Sequence, residues 1–153
     1  MPKKKRIRPL AICVFRRDDH ILVAEGYDAL KDEYFYRPLG GGIEFGEPGI
    51  DTICRELMEE LNAEVDKESL KYLGTLENIF TFNGVPSHEI IMIYDGTLRE
   101  SGLYEQAVIL GEEANGDPIR AMWKSLDEFE SGGLILYPPG LMDLLKANIP
   151  NSV

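Results

Sequence analysis

A chain of 153 residues that is 44% hydrophobic and 28% charged can bury one core of its own and is too apolar to stay disordered. It has no Gly-Xaa-Yaa or heptad period, and nothing near the roughly 18–20 consecutive apolar residues that span a bilayer, which excludes fibrous and helical membrane classes. A formal net charge of −11 repels a phosphate backbone and argues against a duplex-binding role.

The chain opens on MPKKKRIRP, which has no apolar signal-peptide core. Residues 1–8 read as a solvated basic arm ahead of a single domain over 9–150, and the cytoplasm is the expected compartment. Cys13 and Cys54 sit inside apolar patterns and read as buried, reduced thiols rather than a disulfide. Arg8 to Phe15 is rich in aliphatics and predicts a strand, Arg16 to Asp19 a polar turn, and His20 to Ala24 a second strand. Tyr34 to Arg37 is a short aromatic strand ended by Pro38. The three glycines at 40–42 are then expected to break all regular structure.

Pro48 suits the first turn of a helix. At about 100° per residue, Ile50, Ile53, Cys54, Leu57 and Leu61 form one apolar stripe. Glu56, Glu59 and Glu60 fall on a separate arc beside that stripe, where a cleft wall would stand. Asn62 ends the helix, because Asn tolerates the left-handed cap better than most residues other than Gly. Leu70 to Phe82 and Glu89 to Leu98 are strands joined by a hairpin turn over 83–87. Residues 111–118 read as an acidic loop, Ala121 to Lys124 as a short strand, and Ser125 as the cap of a short helix through Glu130. A last helix over Gly140 to Ala147 turns Leu141, Leu144 and Leu145 inward. The order β-β-β-α-β-β-β-α predicts a mixed sheet covered by helices.

The glutamates raise a physical question. Like charges one helical turn apart cost roughly 0.2–0.5 kcal/mol per pair, and two charges about 4 Å apart interact by about 4 kcal/mol at an effective dielectric near 20. A partly buried triad therefore holds a proton or binds a cation. Hard divalent ions such as Mg²⁺ prefer oxygen ligands and share themselves with substrate phosphates. Glycines beside the triad let backbone groups approach the same ion or phosphate. On the bland alternative, the helix face is merely solvated and Arg55 with Glu59 is a surface pair.

Gly41, Glu47, Arg55-Glu56-Leu57 and Glu59-Glu60 stand at the spacing G-x5-E-x7-R-E-U-x-E-E-x-G-U, with U a bulky aliphatic. This stretch resembles the Nudix box of the MutT-like pyrophosphohydrolases over 23 residues. It departs at the end, where Asn62 and Ala63 replace the glycine and the aliphatic; Val65 is expected to supply the missing apolar contact. The resemblance implies an α/β/α sandwich with a mixed sheet. It also implies that Glu56, Glu59, Glu60 and the Gly40 carbonyl bind Mg²⁺ or Mn²⁺, that Glu47 completes the acidic cluster, and that Arg55 orients the glutamates. Glu56 is the first choice of general base, and Glu112 or Glu113 the second. The implied reaction is attack of water on a phosphorus of a nucleoside diphosphate linked to another moiety, the alternative being a nucleotide sensor without turnover. Tyr34, Phe35, Tyr36, Phe80 and Phe82 are candidates to stack on a base, and His88 to face the substrate or to hold a structural hydrogen bond. A homodimer through exposed strand faces is compatible with this reading.

Overall fold

The computed structural model describes residues 5–148. Residues 1–4 of the expected basic arm and 149–150 of the expected domain lie outside the described residues. The elements run β1 (Arg8–Arg17), β2 (His20–Asp28), β3 (Glu33–Arg37), β4 (Leu39–Gly42), α1 (Gly49–Leu61), β5 (Val65–Phe82), β6 (Val85–Leu98), a 3-10 turn (Ser101–Tyr104), β7 (Val108–Glu112), β8 (Pro118–Ser125), α2 (Leu126–Glu130) and α3 (Leu141–Ala147).

Strand β1 is the spine, apolar in six consecutive positions because it is covered on both sides. Ala11, Cys13 and Phe15 point to the layer formed with Ile53, Leu57 and Leu61 of α1. Leu10, Ile12 and Val14 point to the opposite layer, with Leu141 and Leu145 of α3. Leu126 and Phe129 of α2 pack on that second layer. Each fully buried aliphatic of this kind stabilises the fold by roughly 1.5–3 kcal/mol. The result is an α/β/α sandwich around a mixed sheet ordered β5-β6-β1-β2-β8-β7, with β1–β6 parallel. Cys13 is buried, Cys54 half-buried, and both are free thiols.

The sheet forks. Strands β1 and β2 pair at Arg16 with Ile21 and at Arg17 with His20. Past that hairpin, β2 takes β3 as a partner while β1 takes β4. The chain crosses from one branch to the other at Pro38, which has no N–H to give to either ladder. The expectation of irregular backbone at 40–42 is therefore corrected: Gly40, Gly41 and Gly42 lie in β4, opposite Ile12, Ala11 and Leu10. They fit there because a Cβ on Gly40 would stand 2.1 Å from the Ala11 carbonyl oxygen. The loop expected over 111–118 is also shorter. Gly111 and Glu112 end β7, a strand the sequence pattern does not mark, and β8 begins at Pro118. The turn of the β5–β6 hairpin is two residues, Asn83 and Gly84, both at positive φ (48° and 79°), while Val85, Pro86 and Ser87 pair in the ladder.

The helix ends follow the expected chemistry. Ser125 caps α2 with a reciprocal bond to Glu128. Asn62 takes φ 52° after α1, its N–H bonds the Met58 carbonyl at 3.0 Å, and the Ala63 N–H reaches back to the Leu57 carbonyl at 3.2 Å. Ala63 and Val65 are both buried against Leu57 and Leu61. Among the described residues, no helix is long and apolar enough to cross a membrane.

Candidate active site

The carboxylate arc of α1 faces β4 across a cavity of about 790 Å³. Leu57 and Ile53 anchor one side of the helix in the core, which fixes the rotation that turns Glu56, Glu59 and Glu60 toward the glycine strand. The fit is close. A Cβ on Gly41 would lie 2.5 Å from Glu56 Cδ, and one on Gly111 of β7 would lie 2.0 Å from the Glu60 carbonyl oxygen. Glycines at 41 and 111 let two strands approach the helix from different sides.

Arg55 organises this wall. Its Nε and Nη2 donate to the two oxygens of Glu47 at 2.8 and 3.0 Å, a bidentate pair of the strong kind. Its Nη1 donates to Glu56 at 3.0 Å and Glu59 at 3.3 Å, and Nη2 also reaches the Gly42 carbonyl at 3.0 Å. Glu47 accepts a further bond from the buried Thr52 hydroxyl at 2.6 Å. The Arg55 guanidinium, then Thr52, hold the Glu47 carboxyl at a pKa of about 2, and Glu47 in turn pushes that of Arg55 up. Thr52 is missed by pattern reading. Its signal was a polar residue one turn before Glu56, on the same face.

Glu60 behaves in the opposite way. Burial, then the hydrogen bond and charge of Glu56, then the charge of Glu113, push its pKa up to about 9, against the pull of Arg37. Burial and the neighbouring carboxylates thus disfavour the charged form of Glu60. Glu59 is exposed. Gly40, Glu56, Glu59, Glu60, Glu112 and Glu113 all line this one cavity. Glu47 lies just behind its rim on Arg55. As the side chains stand, no three His, Cys, Asp or Glu among the described residues are close enough to hold one metal ion.

A second cavity of about 350 Å³ adjoins the first and shares Arg8, Arg37, Glu89 and Glu113 with it. Its wall is aromatic: Phe35 meets Phe82 and Tyr137 edge-on at 5.7 and 5.5 Å, and Phe80 stacks near Tyr137 at 6.4 Å. Of the sequence candidates, Phe35, Phe80 and Phe82 are brought here. Tyr34 is exposed elsewhere and Tyr36 is core. His88 bonds Glu77 on the neighbouring strand at 2.8 Å, which is the structural role. Tyr137 arrives through the pairing of its N–H with the Tyr36 carbonyl at 2.8 Å, a contact with no local sequence signal.

A sequence model described as the NUDIX domain matches residues 5–139. Among curated proteins, no relative matches the chain. Solved structures do. A NUDIX hydrolase from Nitrosomonas europaea is 17% identical, with 94% of this chain and 88% of that one covered at a TM-score of 0.64. A MutT protein from Bacillus halodurans is 19% identical, with 92% and 80% covered at 0.61. An ADP compounds hydrolase is 18% identical, with 95% and 75% covered at 0.60. At such identities the likeness speaks for the fold, a mixed open sheet with a few helices.

Proposed function

The chain belongs to the NUDIX domain family and is a hydrolase acting on pyrophosphate bonds; from that premise we propose that it uses Mg²⁺ or Mn²⁺ to cleave a nucleoside diphosphate linked to another moiety. The observation that carries this reading is the convergence of Glu56, Glu59 and Glu60 with the Gly40 strand on one cavity. Burial and the neighbouring Glu56 raise the pKa of Glu60, and a carboxyl so placed is a site where a cation takes the place of a proton. The donor set is all oxygen, as a hard cation requires, so its chemistry fits the ion, with the carboxylates turning inward from their present positions to share it. Glu56, Glu59 and Glu60 would hold it with the Gly40 carbonyl. A bound divalent ion lowers the pKa of water and offsets phosphoryl charge.

The chain's own residues do the rest. Arg55 fixes Glu47, Glu56 and Glu59 in place through four of its contacts. Glu56 is our assigned base toward the attacking water. Glu113, exposed at the cavity and close enough to raise the pKa of Glu60, is the second choice. The attack is on phosphorus, and the substrate is a small nucleotide rather than duplex nucleic acid. We assign it to the cytoplasm, and the exposed Tyr72, Ile79 and Val85 on β5–β6 leave a face for a homodimer.

The test is turnover of a nucleotide panel with Mg²⁺ or Mn²⁺. Glu60→Gln lowers the rate by about two orders of magnitude or more, since metal-borne stabilisation of charge is worth several kcal/mol, and the variant keeps its fold by circular dichroism. An unchanged rate in that variant overturns the assignment. Binding without product favours a sensor.

A further inference from the structure

The neck between the two cavities holds a charge cluster that the site described above does not use. Glu89 of β6 pairs in register with Arg8 of β1 and is 3% exposed. Its oxygens lie 3.7 Å from Arg8 Nη1 and 3.8 Å from Arg37 Nη2, too far for hydrogen bonds. Oε1 is shut off from solvent and has no hydrogen-bond partner among the described residues. A buried carboxylate so poorly bonded is expensive to keep. One physical reason to keep it is that it holds two like-charged guanidinium groups side by side.

Those two groups are unusual in these cavities. Arg55 is fully engaged by Glu47, Glu56, Glu59 and Gly42. Lys31 donates to the Thr81 carbonyl and sits near Asp28. Among the described residues, Arg8 and Arg37 make only the long contacts to Glu89, so their donors stand in reserve between the acidic cavity and the aromatic one. A guanidinium fork matches phosphoryl oxygens, and the neighbouring aromatic cavity offers ring faces to a planar group. We propose that Glu89 is a positioning residue: from between Arg8 and Arg37 at the neck, it presents both guanidinium groups to the diphosphate of a nucleotide whose base lies among Phe35, Phe80 and Tyr137. Because Oε1 is closed to solvent, Glu89 acts through the arginines and does not touch the base. The inference rests on the pyrophosphate reading above and adds the orientation of the substrate.

The experiment measures binding apart from turnover. The α,β-methylene analogues of ADP, GDP, CDP and UDP are titrated calorimetrically with Mg²⁺, and the parent nucleosides are followed by saturation transfer to their ring protons. Glu89→Gln weakens the tightest-binding analogue by about tenfold, as expected for loss of charged hydrogen bonds. It leaves nucleoside saturation transfer unchanged and keeps the native fold by circular dichroism. Arg37→Lys, at a half-buried position, keeps the charge, loses the fork and gives the same selective loss, which decides the matter should Glu89→Gln not fold. Equal losses for nucleoside and analogue, no loss in either variant, or no analogue binding by the unaltered protein overturns the proposal. If analogue binding depends on Glu89 but no parent nucleotide is hydrolysed, the hydrolase reading falls and this one stands. If hydrolysis is intact and neither variant affects binding, the reverse holds.

Discussion

The two cavities share a neck but are built in different ways. The carboxylate cavity takes most of its chemistry from one run of chain, Gly40 to Glu60, with spacing set by a single helix and the strand before it. The aromatic cavity gathers Phe35, Phe80, Phe82 and Tyr137 from β3, β5 and the segment before α3. In the first, charges are locked by Arg55, and the unmet demand is electrostatic. In the second, shape and ring faces dominate, and the charges are pushed to its edge. Chemistry and recognition are thus separable here, and variants on the two sides should fail differently.

The largest effect tests that separation. Arg55→Lys replaces the fork with a point charge that cannot hold Glu47, Glu56 and Glu59 together, so kcat falls by about a hundredfold with KM little changed. Phe80→Leu raises KM several-fold and leaves kcat within about twofold, since stacking on a base is worth about 1–3 kcal/mol. Steady-state kinetics on both variants checks the split, and equal effects on kcat from the two would erase the distinction. A smaller signal is a proton count. Adding Mg²⁺ to metal-free protein in weakly buffered solution at pH 7.5 releases about one proton per chain, and Glu60→Gln releases none.

The same groups set the pH dependence of stability, with opposite signs. The folded pKa of Glu60 is raised to about 9, so the metal-free fold binds a proton that the unfolded chain releases. That contribution is complete below the ordinary carboxylate range and is lost as pH rises toward 9. The folded pKa of Glu47 is lowered to about 2. Its contribution is present above the ordinary range and is lost as pH falls toward 2. Urea midpoints across pH should show both arms, with Glu47→Gln flattening the acid arm only. The smallest effect is at the helix end. Asn62→Gly relieves a non-glycine residue at φ 52°, raising stability by about 0.5 kcal/mol in chemical denaturation and leaving turnover untouched.

Much of the fold could be read from pattern. The continuous apolar run of β1, the apolar stripe of α1 and the capping residues Asn62 and Ser125 are local features that dictate their structure. The misreadings came from non-local pairing. Three glycines look like a break until a strand such as β1 is there to pair with them, and β7 exists because β8 runs beside it from Val108 to Glu112.

The sequence by itself determined the acidic helix, its glycine partner and the family they mark, because those residues are bound to one another by helical pitch and a short connection. Tertiary structure alone decided that Arg8, Arg37 and Glu89 meet at a neck, and that Tyr137 closes an aromatic cavity on Phe35 and Phe80. Those contacts depend on sheet register and on the fork between β1 and β2, which hold together residues dozens of positions apart. No local periodicity records that closeness.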